Sequence, residues 1–191
     1  MTATAEVFND PRDELHLHLP AMRAFAISLT RDVTSADDLV QDTIVKAWSN
    51  FDKFTPNSNL RAWLFTILRN TFYSDRRKRR REVADPEGTH AAKLLVKPVH
   101  DGRLAMNDFL KAFNELTPEH REVLVLIGAS GFSYDDAAQM MGVAVGTVKS
   151  RANRARLRLC EMLGLGVGED IVAEMDGATK AVMSQSSTQA A

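Results

Sequence analysis

Residues 133–158, SYDDAAQMMGVAVGTVKSRANRARLR, decide the fold of the second half of this chain. Ser133 and Asp136 have the spacing of a capping box, which predicts the start of a short helix. Gly142 lies where that helix needs a left-handed residue to end, and a final helix is predicted from Val145 to just before Gly164. A short capped helix, a tight turn and a longer basic helix are together typical of a helix-turn-helix unit.

The final helix divides into two faces. Apolar residues recur every three or four positions from Val145 to Leu159, which predicts a buried stripe. The other face carries polar and basic side chains of the kinds that bond base edges and phosphates in a major groove. They are Thr147, Lys149, Ser150, Arg151, Arg154 and Arg158. A basic amphipathic helix on an ordinary bundle has the same pattern, so the motif alone leaves both interpretations open.

A second basic stretch, RNTFYSDRRKRRRE at 69–82, closes a long helix predicted over residues 60–81. A loop rich in aromatic and amide side chains precedes this helix. Aromatic rings beside a basic track suit single-stranded nucleic acid, because bases stack on the rings while arginines follow the phosphates. Tyr73 and Phe54 are the preferred stacking candidates. The other rings of the helix have the spacing of core residues: Trp63, Phe65 and Phe72.

An acidic face marks the helix predicted over residues 35–50, which begins at a capping-box spacing from Ser35. Its opposite side, which includes Trp48, is expected to be buried. Clustered acids disfavour DNA, so the acidic face predicts a basic protein partner. An acidic helix N-terminus serving the helix dipole is the alternative, and it accounts for the first two acids better than for the rest. The four residues of the face are Asp37, Asp38, Gln41 and Asp42.

Composition limits the class of protein. The chain has 191 residues, 24 Lys and Arg against 25 Asp and Glu, and a 45% hydrophobic content, as expected of a soluble folded protein. A single Cys excludes a disulfide-stapled scaffold and favours a reducing compartment. No apolar run approaches the ~20 residues of a membrane span, so a cytoplasmic protein is predicted. His16 and His18 lack partners at zinc-ligand spacing, so no metal is expected.

The helical patterns predict an all-α fold of two small domains joined by a flexible linker. The first domain covers residues 10–83 and the second covers residues 107–163. Residues 84–106, which contain prolines and glycines, are predicted to be the linker. Residues 164–191 are predicted to be a flexible tail.

Three stretches in register resemble the extracytoplasmic-function (ECF) group of bacterial RNA polymerase sigma factors. They are SADDLVQDTIVKAW, NLRAWLFTILRNTFYSDRRKRRR and LTPEHREVLVLIGASGFSYDDAAQMMGVAVGTVKSRANRARLRL. The resemblance covers roughly residues 12–163 and is greatest for the alphaproteobacterial general-stress-response (EcfG-like) subgroup. It implies that the first domain is sigma region 2 and the second is sigma region 4.

The resemblance also implies roles and partners. The acidic face would bind core RNA polymerase, and the final helix would read the promoter −35 element. Promoter DNA at stress-response genes and a NepR-like anti-sigma factor are the other expected partners, with no cofactor. The −10 element would be bound by Phe51, Lys53, Phe54, Asn57, Asn59, Asn70, Tyr73, Arg76 and Arg77.

Three functions are alternatives to that of a sigma factor. A sigma-mimicking protein would keep this fold to sequester an anti-sigma factor without binding DNA. A stand-alone helix-turn-helix repressor is disfavoured because residues 30–81 would then have no function. An enzyme is disfavoured because no catalytic constellation is evident.

Overall fold

The computed structural model describes residues 10–56, 58–82 and 101–165, with side chains for 10–56, 58–81 and 106–165. Every regular element in these ranges is a helix, which confirms the all-α prediction. The first half contains α1 (Leu15–Thr30), α2 (Val33–Ser49) and α3 (Leu60–Glu82). The second half contains α4 (Asp101–Glu115), α5 (Pro118–Leu124), α6 (Tyr134–Met141) and α7 (Val145–Leu163). Shorter elements are 3-10 turns at Pro11–Glu14 and Phe51–Lys53 and a π-helical turn at Val125–Ala129.

The first half is a three-helix bundle built on stacked phenylalanines. Phe25 of α1 and Phe65 of α3 are fully buried, and their ring centroids lie 5.1 Å apart. Burial of each such ring contributes about 1.5–3 kcal/mol to folding. The helix α2 packs against α1 and α3, and its buried residues form a stripe of small and apolar side chains: Ala36, Leu39, Val40, Thr43 and Ala47.

Two predictions for α2 are wrong. The N-cap is Asp32 rather than Ser35, because the Asp32 carboxylate accepts a hydrogen bond from the Ser35 N–H at 2.8 Å. Aspartate caps a helix as well as serine does, so the earlier residue takes the position. Trp48 was expected to be buried but is 58% exposed. Ala47 holds the buried position, and Trp48 follows it about 100° further around the helix.

The start of α4 also differs from the prediction. The helix begins at Asp101, ahead of the predicted start at Asn107, so it includes the end of the segment predicted as linker, 84–106. Gly102 lies inside this helix, because one glycine costs only about 1 kcal/mol there and does not end a helix. The rest of the predicted linker, up to residue 100, lies outside the described residues. So does the predicted tail beyond residue 165.

The helix-turn-helix forms as predicted. Ser133 Oγ accepts from the Asp136 N–H at 3.0 Å, and the Asp136 carboxylate accepts from the Ser133 N–H at 3.3 Å, which completes the capping box. Gly142 ends α6 with a φ of 65°, in the left-handed region that glycine adopts without strain. The buried stripe of α7 is confirmed at Val148, Ala152, Ala155 and Leu159, which have no exposed surface, whereas Val145 in the first turn is half-buried.

We expect Ser133→Ala to lower the free energy of unfolding by about 1 kcal/mol, because the N–H of Asp136 loses its acceptor. Urea denaturation of the full chain measures this change. Ser150→Ala is the control, since Ser150 lies within α7 and is exposed. A loss for Ser133→Ala no larger than that for Ser150→Ala would contradict the prediction.

The two halves share one continuous core. Phe132, which precedes α6, packs edge-on against Phe65 of α3 with ring centroids 5.1 Å apart. The Arg61 guanidinium lies 4.8 Å from the centre of the Phe132 ring. Buried residues of both halves belong to a single cluster. The sequence predicted two domains and a flexible linker without predicting how the domains pack, so this docking is a feature of the tertiary structure alone.

Candidate nucleic-acid and partner-binding surfaces

The acidic face of α2 is open to solvent. Asp38, Gln41 and Asp42 are exposed, and the same side of the helix continues into Val45 and Trp48, which are 64% and 58% exposed. These positions recur every three or four residues, so they share one helix face. The face is therefore acidic at one end and apolar at the other, which suits a partner helix with basic and apolar side chains.

Asp37 differs from the other residues of the predicted face. Its carboxylate accepts hydrogen bonds from Arg23 of α1, at 2.6 Å from Nε and 3.3 Å from Nη2. The Asp37 hydrogen bond raises the pKa of Arg23, opposed by partial burial. This pair ties α2 to α1, so Asp37 positions the face while its neighbours carry the exposed charge.

A cleft of about 380 Å³ lies between α2 and α3, and we call it the α2–α3 cleft. Two ammonium groups reach into it: Lys46 Nζ donates to Thr71 Oγ1 at 3.2 Å, and Lys53 Nζ donates to Asn50 Oδ1 at 2.6 Å. Aromatic, amide and cationic groups around one cleft of this size suit a flat polar ligand such as a nucleobase. The lining residues are Lys46, Asn50, Lys53, Trp63, Ile67, Asn70, Thr71 and Ser74.

The sequence predicted only Lys53 and Asn70 of this cleft as nucleic-acid contacts. Its α3 wall could have been found from helical spacing, because Trp63, Ile67 and Asn70 recur at steps of four and three. The α2 wall could not, because Lys46 and Asn50 join the site only through the angle at which the two helices pack.

The predicted loop residues have unequal exposure. Phe54, expected at the polar edge as a stacking ring, is only 7% exposed, so it is not presented to a base in this structure. The reason is packing: its ring centroid lies 5.4 Å from Phe51, which is half-buried, and 5.3 Å from Trp63. Asn59 is exposed, and its Oδ1 accepts from the Ala62 N–H at 3.0 Å, so it caps α3. Asn57 lies outside the described residues.

The basic stretch of α3, residues 69–82, contacts the other half of the chain. Tyr73, predicted to stack on a base, donates its hydroxyl hydrogen bond to Glu122 Oε2 of α5 at 2.8 Å. Arg69 donates from Nε to Glu122 Oε1, and its guanidinium lies 4.7 Å from the centre of the Tyr73 ring. Arg76 and Arg77, one turn further along, are exposed.

The electrostatics of this contact follow from burial. Desolvation raises the pKa of Glu122, opposed by the charge of Arg69 and the Tyr73 hydrogen bond. Burial and the neighbouring Glu122 charge raise the pKa of Tyr73 above its usual range, so the hydroxyl keeps its proton. Burial lowers the pKa of Arg121 to about 10, which leaves that guanidinium charged at neutral pH. In this contact Arg121 of α5 donates hydrogen bonds to α1, and Glu122 accepts hydrogen bonds from α3.

The polar face of α7 is largely open. Lys149, Ser150, Arg154 and Arg158 are exposed, whereas Thr147 and Arg151 are half-buried. Two of these cations have neighbours on their own half: Arg158 pairs with Glu161 at 3.0 Å, and Lys149 Nζ lies 5.8 Å from the centre of the Tyr134 ring. The face is thus a basic helix surface whose apolar side is fully occupied by the core.

Residues 10–56, 58–82 and 101–165 contain no candidate for metal binding or for membrane crossing. No group of three or more His, Cys, Asp or Glu side chains there is placed to hold a metal ion. Among the described helices, none combines the length and apolar character that crossing a membrane requires.

Two family models match the chain. Sigma-70 region 2 matches residues 15–82, and Sigma-70 region 4 matches residues 106–159. The ECF RNA polymerase sigma factor EcfG of Rhodopseudomonas palustris (strain TIE-1) is 52% identical over 159 residues, which are 83% of this chain and 88% of that protein.

Solved structures give the same picture. The sigma factor RpoE from Bartonella quintana, in complex with the anti-sigma factor NepR, is 54% identical with a TM-score of 0.72, covering 82% of this chain and 98% of that chain. The anti-anti-sigma factor PhyR from Bartonella quintana, complexed with NepR, has a TM-score of 0.54 over 91% of this chain and 62% of its own. At 16% identity, the likeness to PhyR extends to the fold alone.

Proposed function

This chain belongs to the ECF RNA polymerase sigma factors, and on that premise we propose that α2 binds core polymerase while α3 and α7 bind promoter DNA. Sigma factors regulate transcription, and in this division of labour the chain supplies binding energy and no chemical step. The observation that carries the proposal is the separation of charge: an exposed acidic face on α2, and exposed basic surfaces on α3 and α7.

Core polymerase is bound by Asp38, Gln41 and Asp42, with Asp37 holding the helix in place through Arg23. Charge complementarity with a basic polymerase surface speeds the encounter and sets the orientation. The exposed Val45 and Trp48 extend the contact with apolar area.

The −10 element is bound at the α2–α3 cleft as an unpaired strand. A base leaves the stack at a cost of a few kcal/mol, and the cleft offsets this cost through ring contact and hydrogen bonds. Because the cleft accepts only unpaired bases, binding shifts the DNA population toward the melted state. Lys53 and Asn70 of the predicted set line the cleft, which supports this role for them, and the exposed Arg76 and Arg77 follow the adjacent phosphates. Asn59 lies outside the cleft lining and caps α3.

The −35 element is read as duplex DNA by α7 in the major groove. Arg151 and Arg154 suit bidentate contacts to guanine, while Thr147, Lys149, Ser150 and Arg158 suit phosphates and base edges. Each contact is weak alone, and core polymerase makes the two DNA contacts bivalent by holding the halves at the promoter spacing.

The experiment that tests this function is in vitro transcription with purified core polymerase on a promoter library, beside DNA binding without core. We expect start sites only when the chain and core are both present. Tight duplex binding without core and without any start site would instead identify a repressor. Binding to an anti-sigma protein with no start site would identify a sigma mimic.

We expect Asn70→Ala to reduce the amount of open complex by about fivefold, because the loss of one hydrogen bond to an unpaired base costs about 1 kcal/mol. Permanganate reactivity of unpaired thymines measures open complex. Asn107→Ala, a half-buried change on α4, is the matched control. Equal thymine reactivity for Asn70→Ala and its control would remove Asn70 from the −10 site.

A NepR-like anti-sigma protein is the expected negative regulator. This expectation is supported by the 54% identity to RpoE of Bartonella quintana, which was solved with NepR bound. The likeness to EcfG supports target promoters in the general stress response and a protein that acts in the cytoplasm, where it meets polymerase. The sigma-mimic alternative is disfavoured because a mimic has no use for the exposed cations that this chain keeps on α3 and α7.

A further inference from the structure

Glu122 of α5 is held by two donors from the opposite half of the chain. The side chain of Glu122 is fully buried, and that of Arg69 is 17% exposed. Arg69 donates to one carboxylate oxygen and Tyr73 donates to the other, at 2.8 Å in the second case. A guanidinium and a hydroxyl that converge on two oxygens of one anion form an anion-binding site.

The preceding residue, Arg121, strengthens the same contact. Its Nε donates to the Ser28 carbonyl at 2.7 Å and its Nη2 to the Leu29 carbonyl at 3.4 Å, both at the end of α1. Its Nη1 donates to the Leu116 and Asn114 carbonyls of its own half. Adjacent residues of α5 therefore bind α1 and α3 through polar groups.

The position of this anion site on α3 indicates what the site binds when α5 has moved away and Glu122 no longer fills it. Arg69, Tyr73, Arg76 and Arg80 recur at steps of four, three and four residues, so the site continues the basic track of the helix. Arg69 Nη1 also donates to Asn70 Oδ1 at 3.4 Å, and Asn70 lines the α2–α3 cleft. The anion site thus adjoins the cleft proposed for an unpaired base.

We propose that Arg69 and Tyr73 bind a backbone phosphate of the melted promoter strand, and that Glu122 occupies this site in the free chain as an intramolecular substitute. This inference rests on the proposed function, since it assigns a second contact to the same DNA strand. Because Arg69 donates to Asn70 of the cleft lining, a nucleotide whose base entered the cleft would bring its backbone close to Arg69. A carboxylate and two oxygens of a phosphate can accept hydrogen bonds from the same two donors, Arg69 and Tyr73. The two anions therefore compete for one site.

The contact is suited to reversible opening. A permanent core is served at least as well by apolar residues as by a buried ion pair, because charges lose their hydration on burial. When the two halves separate, Glu122 on one side and Arg69 and Tyr73 on the other regain their hydration. The free chain is therefore closed, and its −10 surface becomes available when region 4 moves away from region 2.

The test uses Glu122→Gln in the full chain without polymerase, with Glu119→Gln on the same helix as the matched control. The probe is a fluorescent 15-nucleotide single strand of randomised DNA. We expect Glu122→Gln to bind it about tenfold more tightly than wild type, because the competing charge is removed. We expect Glu119→Gln to bind as wild type does.

A second variant separates opening from phosphate binding. Adding Arg69→Gln to Glu122→Gln should reverse the gain and flatten the dependence of log affinity on log salt by about 0.7, the value for one phosphate on a single strand. Unchanged affinity for Glu122→Gln overturns the competition. If log affinity depends on log salt in the double variant as steeply as it does in Glu122→Gln, the proposed phosphate site is wrong.

A distance measurement covers the case in which Glu122→Gln does not fold. Dyes are placed at Thr34 and Asn153, exposed positions on opposite halves, in a chain with the buried Cys160 changed to alanine. We expect the distance between the dyes to increase when the single strand binds the otherwise native chain. An unchanged distance at saturation overturns the inference.

Failure of the inference differs from failure of the proposed function. A wild-type chain that initiates transcription with core, while Glu122→Gln binds DNA no better, refutes the inference alone. A wild-type chain that initiates nowhere refutes the proposed function, whatever the single-strand data show.

Discussion

Replacing both Asp38 and Asp42 by lysine is expected to weaken binding to core polymerase by about a hundredfold or more. Both carboxylates are exposed on the same side of α2, and neither takes part in an ion pair among the described residues. The change therefore removes two attractive charges and places two cations against a basic partner. Like charges across an interface cost several kcal/mol, and each 1.4 kcal/mol is a factor of ten in affinity.

Competition with a labelled sigma factor for core polymerase measures this loss. The matched control is Asp13→Lys with Glu115→Lys, which makes the same change in net charge at exposed positions on other helices and turns. We expect thermal unfolding of both double variants to resemble that of wild type. If the α2 variant competes for core as well as its control does, the acidic face is not the polymerase contact.

The second large effect is expected from Arg154→Ala, which should lower transcription from the cognate −35 sequence by about 5–150-fold. The basis is the 1–3 kcal/mol that one bidentate contact between arginine and guanine contributes to discrimination. Arg154 is exposed on α7, and the apolar side of that helix is fully buried, so its orientation is held by Ala152 and Ala155. Truncation therefore removes the contact without loosening the helix.

Lys149→Ala provides the contrast, because a lysine that contacts phosphate carries no sequence information. Transcription from a library of −35 variants, with core present, distinguishes the two roles. Arg154→Ala should flatten the preference among variants, whereas Lys149→Ala should lower all of them by a similar factor. If the ranking of −35 sequences is unchanged in Arg154→Ala, the reading face of α7 has been assigned to the wrong side chain.

These experiments address three surfaces that depend on each other. Weak contacts to the −10 and −35 elements become useful only when polymerase holds both halves at the promoter spacing. A free chain that closes on itself through Glu122 has the opposite effect, because it withholds region 2 from DNA until the partner is bound. The affinity of the free chain for DNA is therefore expected to be low for two separate reasons.

The sequence predicted the elements whose causes are local. The capping box at Ser133, the left-handed end at Gly142 and the buried stripe of α7 all depend on residues three or four positions apart. Such neighbours meet whenever the helix forms, so their spacing is sufficient. The two wrong predictions for α2 are also local. Asp32 is the N-cap in place of Ser35, and Trp48 is exposed beside the buried Ala47.

Phe54 shows where local reasoning ends. Its place in a polar loop predicted an exposed ring, but packing against Phe51 and Trp63 buries it. The α2–α3 cleft is similar, since Lys46 and Asn70 meet only after two helices have packed. A helical period states which residues share a face, and it does not state which face of another helix they will meet.

The amino-acid sequence alone predicted the helices, the ends of α6 and α7, the basic and acidic faces and the family to which the chain belongs. Only the tertiary structure decided that the two halves dock, with Glu122 between Arg69 and Tyr73. Those partners are 53 and 49 residues away along the chain, across a segment with no periodic pattern. Their meeting is set by the shape and charge of two folded surfaces, which no spacing within either surface encodes.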